Sequence, residues 1–106
     1  SNGFYECDAQ NRQPFLIQPV NGSLMNFCGL HTLWIDENRQ PLNTFTIITT
    51  AANQTISDIH HRMPVILEQK NEHQWLNRTN NFAAVQKLIK PIADSKITIT
   101  AIDKVV

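Results

Sequence analysis

The sequence has few of the residues that mark the common classes of functional site. Its 106 residues include three glycines and two cysteines, and they form no glycine-rich phosphate loop, no Cys-x-x-Cys pair and no Gly-x-Ser-x-Gly element. The lack of these patterns disfavours a nucleotide-binding loop, a zinc site and a serine hydrolase. The histidines are not spaced as metal ligands, so we predict no metal and no other cofactor. No apolar run reaches about 18 residues, the length that a membrane-spanning helix requires, so we predict no membrane partner.

The net charge is zero, with nine basic and nine acidic side chains. Proteins that wrap duplex DNA usually carry a basic excess, so net charge gives little support to strong non-specific DNA binding. The basic residues mostly fall in the second half of the chain, at Arg62, Lys70, Arg78, Lys87, Lys90, Lys96 and Lys104. A local basic face and an ordinary mixed surface both fit this distribution.

Cys7 and Cys28 are compatible with a disulfide or with two free thiols. We favour buried free thiols in a reducing compartment, because an isolated cysteine most often behaves as a small apolar core residue.

An apolar share of 42% and a length of 106 residues predict one folded domain. Four strand-like runs follow one another across short turns, at residues 3–7, 14–19, 24–35 and 43–50. Asn21-Gly22 is a strong hairpin signal between the second and third runs. Gly29 predicts a bulge or a close backbone approach within the third run. This succession favours an antiparallel, meander-like sheet.

Helix signals come later in the chain. Asn53 or Thr55 is placed to cap one turn that reaches Ile59, and Pro64 ends it. Residues 65–67 then read as extended, 71–76 as a short helix, 82–90 as a helix capped by Asn80 or Asn81, and 97–102 as a strand. We therefore predict an α+β fold in which a mainly antiparallel, barrel-like β-sheet carries short peripheral helices.

Candidate site residues lie in the first strand and around the His-x-Arg segment. Glu6 follows two aromatic residues, and a carboxylate in such a place suits general acid–base chemistry; taken alone, the sequence favours an edge-strand glutamate in water. His60 and His61 are adjacent, so in an extended stretch at most one faces a site. Arg62 suits a phosphate or carboxylate, or else a surface ion pair. Thr49 offers a hydroxyl, although a threonine there also simply favours a strand.

Two further constellations are weaker. Cys28 with His60 suggests a thiol hydrolase, but Cys28 lies in an apolar run and reads more readily as an inert core thiol. Trp34 and Trp75 are able to stack on nucleic-acid bases, although core packing is the ordinary role of tryptophan.

Four stretches of the chain resemble motifs of the SOS-response-associated peptidase (SRAP) family. Gly3-Phe4-Tyr5-Glu6 resembles the family's Gly-Phe-Tyr-Glu-Trp motif, and Phe27-Cys28-Gly29-Leu30 resembles its Ala-Gly-Leu-Trp strand. Residues 45–53, Phe-Thr-Ile-Ile-Thr-Thr-Ala-Ala-Asn, resemble its Phe-Thr-Ile-Leu-Thr-Thr-x-Ala-Asn strand. Residues 59–67, Ile-His-His-Arg-Met-Pro-Val-Ile-Leu, resemble its Ile-His-x-Arg-Met-Pro-Val-Ile-Leu signature.

This resemblance implies a chemistry of damaged DNA. In the family, an N-terminal cysteine uses its amine and thiol to trap the aldehyde of an abasic site in single-stranded DNA as a thiazolidine, and lyase-like and autopeptidase activities accompany this crosslinking. Glu6 would move protons during imine formation. His60 would protonate the sugar oxygen during ring opening. Arg62 would hold a DNA phosphate, and Thr49 would line the pocket.

The chain also departs from the family pattern. The segment that carries the nucleophilic cysteine is not among these residues, so we interpret residues 1–106 as a single SRAP-like domain that lacks its N-terminal segment, about the last two-thirds of such a domain. Cys7 stands where the motif has Trp, and His31 stands where Trp follows Gly-Leu. Pairing with the missing segment or with a second copy is expected at an exposed sheet edge. The alternative function is a noncovalent DNA-binding or interaction module. The resemblance also implies a cytoplasmic protein, nucleoid-associated in a bacterium.

Overall fold

The computed structural model describes residues 1–103. Short strands dominate it, and short helices and 3₁₀ turns at Gln69–Asn71 and Asp94–Lys96 connect them. The strands are β1 Phe4–Cys7, β2 Pro14–Pro19, β3 Asn26–Phe27, β4 Gly29–Ile35, β5 Pro41–Ile47, β6 Thr49–Ala51, β7 Arg62–Pro64, β8 Ile66–Leu67 and β9 Ile97–Ala101. The helices are α1 Gln54–Ser57, α2 Glu72–Leu76 and α3 Phe82–Gln86. No helix among residues 1–103 has the length and apolarity needed to cross a membrane.

One sheet has three strands, with β2 between β1 and β9. Both ladders are antiparallel, and Ile17 of β2 lies opposite Phe4 of β1 and Ile99 of β9. Ile17 is fully buried, so the central strand places its branched side chain in the core. Pro14 and Pro19 stand at the two ends of β2, where a missing N–H donor disturbs the ladder least.

The other three ladders are antiparallel pairs, β3 with β8, β4 with β5 and β6 with β7. They meet at Cys28, Ile48 and Val65. Each of these residues lies between two consecutive strands of the chain (β3 and β4, β5 and β6, β7 and β8), and at each of them the chain leaves one paired strand and begins to pair with another. Each of the three residues donates its backbone N–H to the next: Cys28 to Val65, Val65 to Ile48 and Ile48 to Cys28, all at 2.9 Å. We call this ring of hydrogen bonds the three-way junction. These hydrogen bonds give partners to backbone N–H and C=O groups that would otherwise be unpaired where each ladder ends.

The core consists of two clusters. The first joins the inner face of the three-stranded sheet to α1 and β7, through Ile17, Met25, Ile56, Met63, Ile66 and Ile97. The second covers the three-way junction: Cys28 and Val65 are fully buried and pack with Leu67, Leu88, Ile48, Trp75 and Ile89. Trp75 of α2 and the segment after α3 therefore pack over the place where the ladders exchange partners.

Asparagine caps begin two of the helices. The Asn53 side chain accepts the Ile56 N–H at 3.0 Å, and the Asn81 side chain accepts the Ala84 N–H at 2.9 Å. Each was one of the two cap residues that the sequence offered for its helix, although helix α3 stops at Gln86 rather than Lys90. Beyond Gln86 the chain turns: Leu88 N–H donates to Val85 O and Ile89 N–H to Gln86 O, so Leu88 is carried into the junction core rather than along a helix face.

The α+β class, the antiparallel pairing and the short helices agree with the prediction. The barrel-like part of that prediction is not confirmed, because the strands of residues 1–103 form four separate sheets and close no barrel. The prediction of a meander, in which each strand pairs with the next one along the chain, is correct only in part. Asn21-Gly22 does form a turn, with Gly22 at a φ of 70° and its N–H donating to Pro19 O at 3.3 Å. However, β2 pairs with the distant β9 instead of β3.

Candidate functional site

The β6–β7 ladder presents one face to the core and one to solvent. Thr50 lies opposite Met63, which is buried, and Ala51 lies opposite Arg62. Opposite residues in an antiparallel pair share a face, and residues two positions along share it too. Thr49 and Arg62 therefore stand diagonally on the outer face, and both are exposed.

Hydrogen bonds to Thr49 hold the Arg62 side chain in place. Its Nη2 donates to the Thr49 carbonyl oxygen at 2.9 Å and to the Thr49 hydroxyl oxygen at 3.0 Å. A guanidinium carries five N–H donors in a planar fork. Within residues 1–103 the hydrogen bonds of the Arg62 side chain all leave from Nη2, so the donors on Nε and Nη1 remain for an anion. Nε and Nη1 do not share one edge of the guanidinium, so each is able to donate separately to an oxygen of a phosphate or carboxylate.

His60 is oriented by the backbone of Arg62. The Arg62 N–H donates to His60 Nδ1 at 3.0 Å, and the Arg62 carbonyl oxygen lies 3.0 Å from the same nitrogen. When Nδ1 is bare it accepts from the N–H, and when it is protonated it donates to the carbonyl. The ring thus has a backbone partner at Nδ1 in either tautomer, which leaves Nε2 as the nitrogen available to a ligand.

The two histidines stack on each other, with ring centroids 4.7 Å apart and an interplanar angle of 18°. The sequence-based interpretation placed them on opposite sides and was wrong, because residues 58–61 form a turn rather than a strand. His60 is half-buried and His61 is exposed, so His61 covers one face of the oriented ring.

Asn53 fixes the segment that carries these histidines. It is a buried polar residue, 8% exposed. Its Oδ1 caps helix α1, its Nδ2 donates to Ile92 O at 3.0 Å, and its backbone N–H points to Met63 Sδ at 3.3 Å. The Ala52 N–H also donates to His61 O at 3.0 Å. The local sequence indicated the cap but not the link to Ile92, because that hydrogen bond joins residues 39 positions apart.

Thr55 and Asp94 form a second support for helix α1. The Thr55 backbone N–H and hydroxyl both donate to Asp94 Oδ1, at 2.7 and 2.6 Å. The Thr55 hydroxyl, followed by the Thr55 backbone N–H, lowers the pKa of the Asp94 carboxyl below its ordinary value. Nothing in the local sequence pattern indicated this pair.

Glu6 lies in a different sheet from the other candidates. It stands opposite Phe15 on the face where Phe4 and Phe15 pack against the core cluster that contains Met63. Its Oε1 accepts the Cys7 N–H at 3.2 Å, and it is half-buried. The hydrogen bonds within residues 1–103 bring Thr49, His60 and Arg62 together, and Glu6 takes no part in that group.

Cys28 does not form a thiol hydrolase site. It is fully buried in the three-way junction, and burial raises the pKa of its thiol to about 11, so at neutral pH the sulfur is protonated and shielded from substrate. Cys7 is exposed, and both cysteines are free rather than joined in a disulfide. Residues 1–103 contain no group of three or more His, Cys, Asp or Glu side chains placed to bind a metal ion.

Three of the four motif stretches converge on one place. Cys28, Ile48 and Val65 are interior residues of the second, third and fourth stretches, and they close the hydrogen-bonded ring of the junction. The SOS response associated peptidase (SRAP) family profile matches residues 1–106. The chain belongs to the SRAP family.

Relatives and solved structures agree with this assignment. The chain is 40% identical over 95 residues to the abasic site processing protein YoqW of Bacillus subtilis, in a match that covers 86% of the chain and 42% of YoqW. It is 39% identical to the chicken (Gallus gallus) abasic site processing protein HMCES, covering 86% of the chain and 34% of that protein. A crystal structure of a Bacteroides thetaiotaomicron protein superposes with a TM-score of 0.90 at 31% identity, covering 97% of the chain and 47% of the solved one. The chain therefore spans less than half the length of these relatives.

Proposed function

We propose that this chain supplies part of a site that processes abasic sites in single-stranded DNA. The arrangement of Thr49, His60 and Arg62 on the β6–β7 ladder is the observation that carries the proposal. It unites an oriented guanidinium, whose donors on Nε and Nη1 are free within residues 1–103, and an oriented imidazole, and both belong to the signature stretch at residues 59–67. The names of the curated relatives, abasic site processing proteins, supply the substrate class.

Arg62 binds a phosphate next to the lesion. Its guanidinium is already oriented by Thr49, so less side-chain freedom is lost when the DNA binds. Thr49 acts through Arg62, since its hydroxyl and carbonyl oxygens both accept from the guanidinium.

His60 and Glu6 move protons in the covalent reaction. His60 Nε2 donates a proton to the ring oxygen of the abasic deoxyribose while the C1 hydroxyl releases its proton to water, so the bond between C1 and the ring oxygen breaks and the sugar opens to its aldehyde. The Glu6 carboxylate carries protons as the amine of an N-terminal cysteine, outside these residues, adds to the aldehyde and water leaves to form the imine. Addition of the cysteine sulfur to the imine carbon closes a thiazolidine, with water as the only leaving group and no change of oxidation state.

The test is adduct formation by a chimaera that joins the unmatched part of YoqW to residues 1–106 and exposes an N-terminal cysteine. We expect a denaturation-resistant adduct with an abasic oligonucleotide. His60→Gln and Glu6→Gln should each slow its formation by about a hundredfold, the usual contribution of a positioned proton donor or acceptor. Glu37→Gln, in the exposed turn between β4 and β5, is the matched control and should leave the rate unchanged.

Two results would count against the proposal. An adduct whose rate is the same in His60→Gln and Glu6→Gln would remove both residues from the chemistry. A folded chimaera that forms no adduct but binds the oligonucleotide reversibly would favour the alternative, a noncovalent DNA-binding module. An abasic-site function also fits a cytoplasmic, nucleoid-associated protein. Imaging of the tagged protein in cells tests this location.

A further inference from the structure

The β4–β5 hairpin is apolar and exposed. Phe45 is 80% exposed, and five further apolar side chains of the hairpin are more than half exposed: Leu30, Leu33, Trp34, Ile35 and Leu42. Folded monomers scatter single apolar residues over their surface but rarely gather so many in one place.

Both faces of the hairpin carry this apolar surface. In the register His31 lies opposite Phe45 and Trp34 lies opposite Leu42, so Phe45 and Leu33 point to one side while Trp34 and Leu30 point to the other. A sheet with one solvated face alternates apolar and polar residues, whereas a sheet covered on both faces is apolar throughout. The hairpin sequence therefore suits an element that is enclosed between two layers.

The lack of charged side chains on β4 and β5 favours protein, rather than nucleic acid, as the material that covers them. Strands β4 and β5 contain no Asp, Glu, Lys or Arg, and their titratable side chain is His31. Single-stranded DNA is bound through cations that neutralise its phosphates, and this surface offers none along its strands.

The dimensions of the chain point the same way. Its radius of gyration is 16.2 Å, whereas a compact domain of this length has about 13 Å. Its accessible surface is 7990 Å², whereas a folded monomer of 12.1 kDa exposes about 6,000 Å². The excess is of the order that a large permanent interface buries.

The relatives indicate what fills this interface. The same fold superposes on the Bacteroides thetaiotaomicron protein with a TM-score of 0.90 while covering 47% of that chain, and the match covers 42% of YoqW. More than half of each longer protein is therefore available to cover what is exposed here. We propose that both faces of the β4–β5 hairpin are the docking surface for the part of the SRAP fold that lies outside these 106 residues.

Amide hydrogen exchange tests this docking surface. The 106-residue chain alone is compared with the YoqW chimaera, at residues 30–35 and 41–47. We expect exchange at these amides to slow by about a hundredfold or more in the chimaera, because the hairpin passes from an exposed to an enclosed element. If the chimaera does not fold, the unmatched part of YoqW is added to the chain as a separate polypeptide and the same amides are followed.

A pair of phenylalanine variants gives a second measurement. Phe45→Ser should leave the stability of the isolated chain unchanged and lower the thermal midpoint of the chimaera, since Phe45 is exposed only in the former. Phe82→Ser, at a comparably exposed phenylalanine in α3, is the control and should change neither.

Equal exchange rates in the chain, the chimaera and the two-polypeptide mixture would overturn the proposal. So would protection of the hairpin in the isolated chain that rises with protein concentration, because a second copy would then be the occupant. Protection by single-stranded DNA with none from the YoqW segment would also overturn it. These outcomes do not depend on lesion chemistry, so they leave the proposed function to its own test.

Discussion

At the residue scale, Asn53 and Asn81 make the same cap in different surroundings. Each accepts an N–H in the first turn of a short helix, but Asn53 is buried and also donates to Ile92 O, whereas Asn81 is exposed. The sequence pattern therefore predicted a cap at both places and included the correct residue in each pair of alternatives. It gave no sign of their unequal importance, because burial and the Ile92 contact come from the tertiary fold.

Substituting the two asparagines should separate these effects. We expect Asn53→Ala to lower the free energy of unfolding by about 2–3 kcal/mol, since it removes a cap and leaves a carbonyl oxygen without its donor. Asn81→Ala should cost about 0.5–1 kcal/mol, the value of an exposed cap. Urea unfolding measures both, and equal losses would contradict the role of Asn53 as the buried support of the His60 segment.

Asp94 should make stability depend on pH. Its pKa is lowered in the folded chain by the Thr55 hydroxyl and backbone N–H, so the stabilisation is complete above the unfolded-state value, about pH 4, and disappears as pH falls through the lowered value. We expect wild type to exceed Asp94→Asn in thermal midpoint at pH 6 and the difference to shrink towards pH 3. A difference that stays constant over this range would show that the carboxylate charge is not involved.

At the scale of elements, the three-way junction explains why strand prediction succeeded while pairing failed. The long run 24–35 was predicted as one strand, and the structure divides it at Cys28 into β3 and β4. β-branched and apolar residues indicate an extended backbone locally, but an exchange of partners at Cys28, Ile48 and Val65 depends on three segments meeting. The predicted close approach at Gly29 is confirmed, since a Cβ there would lie 3.0 Å from Thr46 O.

Cys28 is the position at which the junction is most easily tested. Cys28→Ala should cost little more than the lost sulfur contacts, because the site is small and apolar. Cys28→Ser should lower the free energy of unfolding by a further amount of about 1–3 kcal/mol, since the hydroxyl would be buried without a partner. Chemical denaturation of the two variants checks this order, and a serine variant as stable as the alanine variant would contradict a dry, apolar junction.

At the scale of the whole molecule, sequence motifs predicted the family, and the order of strand and helix signals along the chain predicted the α+β class. The pairing of strands that are distant in the sequence was not predictable from local patterns. The β2–β9 ladder joins Pro19 to Ile97, and no local pattern encodes a partner so distant in the chain. The directions of the His60 and His61 side chains were predicted wrongly for the same reason. The turn that lets the two rings stack is fixed by helix α1 and by Asn53, which the local sequence does not reveal.

In the proposed function, the DNA strand passes over the outer face of the β6–β7 ladder. Reversible binding isolates this step when the oligonucleotide carries a tetrahydrofuran abasic analogue, which has no aldehyde and forms no adduct. The chimaera, its Arg62→Ala variant and an Arg78→Ala control are compared over a range of salt concentrations. Arg78 is exposed and lies outside the ladder.

The measurement is the slope of the logarithm of the binding constant against the logarithm of salt concentration. Loss of one phosphate contact on a single strand reduces that slope by about 0.7. If the strand passes over this face, the slope should fall by this amount and binding should weaken in Arg62→Ala, while Arg78→Ala keeps the wild-type slope. An Arg62→Ala protein with the affinity and slope of wild type would contradict it.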